Sequence, residues 1–253
     1  MKIFEQKIDI KSSANKYNNK NVARRYVHLA KDVGLWKSEE FVIKKFVPIE
    51  AKILDVGCGA GRTTFGLYEL GYHNIEGVDT SKQLISNAKK LAVKNNMPIK
   101  FYIDNVLALD AENESIDAVI FSYNGLMTIP GDKNRLFAVG EIARVLRPGG
   151  IFIFTTHDRD NNEDLAEWWK EEKKKWENGT NDPRLVEFGD KFVVEEGEEL
   201  FVHIPTIKEV YSLLNSCGFD CVYTKMRWDI CATPNVEKTE FGECRFFVAK
   251  KRT

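Results

Sequence analysis

The chain has 253 residues, 43% of them hydrophobic and 30% charged, with a formal net charge of -1. That length and apolar content bury the core of one generous domain, or a core domain carrying an insertion, and exclude a disordered chain. The near-neutral balance gives no field that favours nucleic acid or an anionic membrane, and five cysteines at irregular spacing exclude a disulfide scaffold and suit reduced thiols in the cytoplasm.

The first twenty residues, "MKIFEQKIDIKSSANKYNNK", mix charge and polarity without an apolar core. They do not read as a secretory signal, and no later stretch is long or apolar enough to cross a bilayer. Residues 21–46 place apolar residues at three- and four-residue spacing in "NVARRYVHLAKDVG" and "WKSEEFVIKKFV", which predicts helices closed at Pro48. "AKILDVG" predicts a first strand and "AGRTTFGLYELG" a helix ending on Gly71. "NIEGVDTS" is a second strand, with Ser81 placed to cap the helix "KQLISNAKKLAVKNN". After Pro98, "IKFYIDN" is a third, short strand.

"IDAVIFSYN" predicts the fourth strand, "KNRLFAVGEIARVLR" a helix stopped by "PGG", and "IFIFTTH" the fifth strand. Strands alternating with helices over about 100 residues predict an α/β fold, a parallel sheet with helices on both faces. The apolar runs "AVIF" and "IFIF" suit strands buried on both sides.

The alternation then breaks. A charged, Trp-rich helix, "EDLAEWWKEEKKKWENG", precedes two β-like runs, "RLVEFGDKFVVEE" and "ELFVHI", separated by Gly197. These predict a helix and β-hairpin inserted as a cap over the C-terminal edge of the sheet. Order resumes with the helix "PTIKEVYSLLNSCG", capped by Thr206 and ended at Gly218. "FDCVYTKMRWDI" and "CRFFVAKK" then predict an antiparallel pair joined by a polar loop. The expected division is a helical segment at 1–47, a core domain at 48–157 and 204–253, and a cap insertion at 158–203. No internal repeat or low-complexity segment interrupts it.

The chemistry starts at "ILDVGCGAGRTT", where Gly57, Gly59 and Gly61 alternate directly behind an apolar strand. A glycine-rich turn from strand to helix lets a nucleotide-like ligand approach the backbone. The dinucleotide fingerprint is G-x-G-x-x-G, whereas the spacing here is G-x-G-x-G with Asp55 two residues ahead, which disfavours a nicotinamide dehydrogenase. Asp79 ends the second strand, 18 residues past Gly61. It is placed to accept hydrogen bonds from both hydroxyls of a ribose. Asp104 ends the third strand, where a carboxylate suits an exocyclic amine. Acids at three successive strand ends suit a ligand with a ribose, an adenine and a cationic amino-acid tail.

With those segments in place, the chain resembles the class I S-adenosylmethionine-dependent methyltransferases of the small-molecule type. "ILDVGCGAGRTT" is similar to the family's first motif, "IEGVDTS" to its acidic second motif and "YIDNVLAL" to the adenine-side motif. "DAVIFSYNGLM" and "EIARVLRPGGIFIFTTH" resemble the segments around the fourth and fifth strands. The match covers roughly residues 45–157. It implies a seven-stranded, mostly parallel Rossmann-like sheet with an antiparallel last strand, S-adenosylmethionine as cofactor and S-adenosylhomocysteine as product. By position, Gly57, Cys58, Gly59 and Gly61 would line the methionine part, Asp55 would hold the ammonium, and Asp79 with Thr80 the ribose. Asp104, Asn105 and Val106 would hold the adenine, and Ser122 would approach the reactive end.

Methyl transfer from a sulfonium is an in-line displacement that works through alignment and exclusion of water. A general base is needed only if the acceptor arrives protonated. The acceptor candidates are Tyr123 and Asn124 after the fourth strand, His157 and Arg159 after the fifth, and Trp168, Trp169 and His203 from the insertion. His157 is the candidate base, and Tyr17 and Tyr26 are candidates to close over the cofactor.

The segment "SYNG" lacks the Asn-Pro-Pro-aromatic signature of many nucleic-acid methyltransferases. With the neutral charge, this favours a small-molecule acceptor over RNA or a protein side chain; a non-catalytic cofactor-binding module is the reading from another class. Cys217, Cys221, Cys231 and Cys244 contain no C-x-x-C pair and read as buried small hydrophobes, so no metal is expected. Neither nucleic acid nor membrane is an expected partner, and no motif specifies an oligomeric state.

Overall fold

The computed structural model describes residues 6–161, 165–231 and 242–253. Two helices, α1 (Ile10–Lys16) and α2 (Lys20–His28), lead through a π-helical turn (Leu29–Val33) into α3 (Lys37–Phe46). The alternating part follows as β1 (Ile53–Val56), α4 (Arg62–Glu69), β2 (Ile75–Asp79), α5 (Lys82–Lys94), β3 (Lys100–Ile103), β4 (Ile116–Phe121), α6 (Asp132–Val145) and β5 (Leu146–Thr156). Beyond it lie α7 (Ala166–Glu177), β6 (Asp190–Glu195), β7 (Glu198–His203), α8 (Ile207–Ser216), β8 (Phe219–Met226), the short α9 (Arg227–Ile230) and β9 (Arg245–Lys251).

One sheet has the order β3-β2-β1-β4-β5-β9-β8, and β6-β7 form a separate hairpin. The first five strands are parallel, while β9 runs antiparallel to both β5 and β8. The seven-stranded α/β sheet with an antiparallel end is therefore as expected. The chain moves outward from β1 through β2 to β3, then returns to lay β4 on the other side of β1. That reversal opens a crevice at the C-terminal ends of β1 and β4, the place where open α/β sheets bind ligands.

Period-2 alternation explains the two helical layers. Leu54, Val56, Val119, Phe121, Phe152 and Phe154 share one core with Val139 and Ile142 of α6 and Val210 and Leu214 of α8. Ile53, Ile120, Ile153 and Phe246 point the other way, against Val42 and Ile43 of α3 and Leu67 of α4. Both faces of the central strands are thus buried, as their unbroken apolar runs require.

Four local readings differ from the sequence expectation. The polar N-terminal stretch contains α1, started by Asp9, whose Oδ1 accepts from Ser12 N at 2.7 Å. The hairpin begins only at Asp190, because Asp190 Oδ2 accepts from Val186 N and Glu187 N at 2.9 and 3.0 Å and folds the preceding residues into a turn. Strand β8 ends at Met226, and "RWDI" coils into α9. Strand β5 reaches back through "RPGG" to Leu146. Most of the expected polar loop before β9 lies outside the described residues. Among the described residues, no helix is long and apolar enough to cross a membrane.

Candidate active site

The turn after β1 is built to be close to something. Gly57 and Gly61 take left-handed φ values of 63° and 93°, which side chains rarely adopt. A Cβ would also lie 2.7 Å from a Phe121 ring carbon at Gly57 and 2.7 Å from Phe65 at Gly61. Gly57, Cys58 and Gly59 line a cavity together with Asp55, Asp79, Thr80, Asp104, Asn105, Val106, Ser122 and Tyr123. Gly61 stands behind this wall as the residue that starts α4. The turn, the three acids and the β4 end therefore converge on one cavity.

The acids differ in their surroundings. Asp55 is buried and accepts from Thr64 Oγ1 at 2.5 Å. Burial drives its carboxyl up to about 7, against the opposing Thr64 hydrogen bond and the charge of Arg62. Asp79 accepts from Gly59 N at 2.9 Å through one oxygen and from Ser81 N at 2.8 Å through the other. Burial raises its pKa as well, and the two backbone donors oppose the rise. Asp104 spends its oxygens on its own loop, accepting from Asn105 N at 2.7 Å and Asp110 N at 3.0 Å. The Cys58 thiol is buried, and that burial pushes it well above its ordinary value.

Tyr17, just past α1, and Tyr26 of α2, the candidates to close over the cofactor, line the cavity from the N-terminal side; so do Ile10 and Ala14 of α1, which the sequence reading passed over. The signal was present: Ile10, Ala14 and Tyr17 stand at four- and three-residue spacing behind the Asp9 cap, one face of a short helix. Tyr17, Tyr26 and Tyr123 meet edge to face, with centroids 5.7 and 5.9 Å apart. Burial raises the pKa of all three hydroxyls, that of Tyr123 to about 12, so they stand as neutral donors.

Arg62 also lines the cavity, through a buried network no motif announced. Its guanidinium grips Glu39 of α3 with two contacts of 2.6 Å and reaches Ser122 Oγ at 3.2 Å. Ser122 Oγ in turn donates to Glu39. Burial alone would raise the Glu39 pKa, but the Arg62 charge and its hydrogen bonds overcome this and hold it low.

The expected acceptor residues separate into two groups. Tyr123 lines the cavity; Asn124 follows it, donating its backbone N–H to Thr155 Oγ1 at 2.9 Å. Asn124 and the remaining candidates lie outside the cavity wall. His157 turns its Nδ1 to the Glu243 carbonyl oxygen at 2.6 Å. Trp169 is packed with Met127 and Ile204, with Trp168 against the same cluster. Arg159 bonds the carbonyl oxygens of Phe188 and Ile204 and pairs with Glu209 at 2.9 Å. His203 is buried on Asp190, with Nδ1 and Oδ1 2.8 Å apart. Trp169 thus packs the insertion on the turn after β4, while Arg159 ties it to α8 and His203 pairs within the hairpin.

Glu187, Asp190 and His203 bring one donor atom each within 4.8 Å of one another. Glu187 is already paired with Arg135 at 2.7 Å, and Asp190 holds His203 and two backbone N–H groups. Their geometry is that of a hydrogen-bonded ion-pair cluster.

The profile of a family described as a methyltransferase domain matches residues 50–218. The chain is 31% identical over 115 residues to carboxy-S-adenosyl-L-methionine synthase of Campylobacter curvus, covering 45% of this chain and 47% of that protein. It is 31% identical over 125 residues to 2-methyl-6-phytyl-1,4-hydroquinone methyltransferase of Synechocystis, covering 49% and 38%. The chain spans about half the length of the first curated relatives it matches. A crystal structure of a SAM-dependent methyltransferase from Methanosarcina mazei superposes with a TM-score of 0.69 at 22% identity, covering 87% of this chain and 99% of that one. At that identity the likeness is one of fold.

Proposed function

This chain belongs to the methyltransferase-domain family, and from that premise we propose that it transfers the methyl group of S-adenosylmethionine to a small-molecule acceptor. The observation that carries the acceptor class is the closed side of the cavity. Ile10, Ala14, Tyr17 and Tyr26 stand over the strand ends. The hairpin fastens that layer through Lys16–Glu198 at 2.8 Å, Asn19–Glu198 at 2.8 Å and Arg25–Glu195 at 2.5 Å. A roof of this kind suits a small acceptor better than a polymer strand or a folded protein. The hairpin, with α7 behind it, serves as a cap.

The donor set fits the cofactor. Asp79 offers two carboxylate oxygens already aimed by backbone donors, which suits vicinal hydroxyls. Asp55 suits an ammonium, and Leu84 and Val106 offer apolar surface for a flat base. When bound, the cofactor supplies an electrophilic methyl group on a sulfonium. The chain's own residues then bind, align and exclude water: the acids hold the two ends, Ser122 and Tyr123 flank the reacting end, and the tyrosine layer shuts the cavity. One of the relatives named above is named as a hydroquinone methyltransferase, which supports the same reading. None of the five cysteines is in a disulfide, which supports a reducing, cytoplasmic setting.

The test is incubation with methyl-labelled S-adenosylmethionine and either a small-molecule filtrate or the macromolecular fraction of a cell extract. Label in the filtrate is the expected result. Label confined to RNA or protein overturns the acceptor class. S-adenosylhomocysteine bound tightly with no label in either fraction makes the chain a binding module.

A further inference from the structure

The turn Gly125–Thr128 after β4 has two sides. Gly125 and Thr128 line the cofactor cavity, whereas Leu126 and Met127 line a second cavity of about 270 Å³. The two cavities share no lining residue. The second lies between the start of α6, the end of β5 and α8, with Val210 and Leu213 of α8 as apolar wall. His203 and Thr156 also line it, and both are buried, at 3% and 2% exposure.

These two carry polar atoms that the fold leaves unused. Asp190 Oδ1 lies 2.8 Å from His203 Nδ1, while Asp190 Oδ2 accepts from the Val186 and Glu187 amides. A carboxylate can only accept, so Nδ1 carries a proton and the ring is fixed in direction. Its other nitrogen, Nε2, is then the acceptor of the neutral imidazole. Among the described residues, neither His203 Nε2 nor Thr156 Oγ1 is engaged in a hydrogen bond. Neither atom is sealed from solvent, so each is open to a ligand in the cavity that it lines.

The charges of the wall make no such demand. Arg135 donates to the Ile129 carbonyl and pairs with Glu187 at 2.7 Å, and Glu209 pairs with Arg159 at 2.9 Å. An ion placed beside these matched pairs would lose hydration without gaining a counter-charge. A hydroxyl avoids that cost, and it suits both Nε2 and Thr156 because it donates and accepts. A cavity of about 150 Å³ holds benzene, so this larger one has room for a ring with a polar substituent.

We propose that the second cavity binds a small uncharged hydroxy compound, a phenol or an alcohol with an apolar body, whose O–H donates to His203 Nε2. Asp190 is the positioning residue that fixes the imidazole. The site is separate from methyl transfer, because none of its wall belongs to the cofactor cavity; its occupant rests on Leu126 and Met127 from behind the turn.

Phenol and anisole are the probes, since anisole keeps the ring and lacks the donor. Binding is followed at pH 8 by NMR of protein labelled in its four histidines, with the His203 signals assigned through the backbone. Excess S-adenosylhomocysteine fills the cofactor cavity. Phenol should shift the His203 ring signals saturably, with a Kd of about 1 mM or below, and anisole should bind at least about tenfold more weakly. In His203→Phe, followed by calorimetry, the difference between the two probes should vanish. The wild-type titrations stand by themselves if that variant does not fold. The absence of a saturable shift at His203 up to about 10 mM phenol, equal binding of anisole, or shifts confined to another histidine overturns the proposal. Failure to bind S-adenosylhomocysteine counts against the methyl-transfer reading alone, since the His203 signal still reports on the second cavity.

Discussion

Asp55 is the most consequential single ionisable group, because burial lifts its carboxyl to about 7 in the folded, unliganded chain. Unfolded, the same group titrates near its ordinary 3.8. Between those values the folded state holds the extra proton. This contribution to stability is therefore full at the acidic end of that window and is lost as pH rises towards 7. Binding a cationic ammonium reverses the preference, since it needs the ionised form. Affinity for S-adenosylhomocysteine should fall as pH drops below 7, by up to about tenfold per unit, when followed by calorimetry from pH 8 to pH 5.5. Asp55→Asn should flatten that profile and raise the melting temperature of the free protein at pH 8. A pH profile unchanged by the substitution would remove Asp55 from the ammonium site. For Asp79→Ala the loss should be on the order of 2–4 kcal/mol of cofactor binding, and unchanged affinity by calorimetry would sink the ribose assignment. Both acids were legible in the sequence because each stands at or one residue short of a strand end, at a fixed distance from the glycine turn. His157 was legible as a polar residue after a strand; its hold on the Glu243 carbonyl was not, since that partner is 86 residues away.

At the scale of elements, the Glu39–Arg62 pair joins α3 to the first turn of α4 and, through Ser122, to the end of β4. Both side chains are buried, so removing one charge strands the other. Glu39→Gln should cost about 3–5 kcal/mol in urea unfolding, and a loss below about 1 kcal/mol would show that Arg62 finds another partner. Nothing in "WKSEEF" distinguishes Glu39 from its half-buried neighbour Glu40, because the distinction is made by the partner helix. The strands fared better, since unbroken apolar runs have one stable use in a sheet covered on both faces. Helix α1 was missed as a helix because its polar composition hides an apolar stripe only three residues wide.

The whole molecule is closed by its two additions, the N-terminal helices and the hairpin, meeting above the strand ends. Ile8 N also bonds the Arg184 carbonyl at 2.8 Å, so the contact runs from the chain's start into the segment ahead of the hairpin. The ion pairs between the layers are partly exposed and contribute little each; enclosure comes from the apolar and aromatic side chains beneath them. Deleting residues 1–18 removes Ile10, Ala14 and Tyr17 from the cavity wall. S-adenosylhomocysteine dissociation should then quicken by about tenfold or more in stopped-flow measurements while the sheet still folds cooperatively. An unchanged dissociation rate would mean that the N-terminal layer is not the roof.

Composition and local pattern by themselves determined the α/β sheet, the glycine turn and the acids that face it. Each depends on residues close in the chain, where strand period, turn chemistry and strand ends leave few alternatives. Tertiary structure alone decided that the expected acceptor residues of the insertion lie away from the cavity wall. Arg159, Trp168, Trp169 and His203 had the chemistry of a binding site, yet they spend their contacts on packing and ion pairs away from the cavity. Glu39 and Ser122, 83 residues apart, share a hydrogen bond that no spacing rule connects. Side-chain direction is set by what packs against an element, and that information lies in the partner segments.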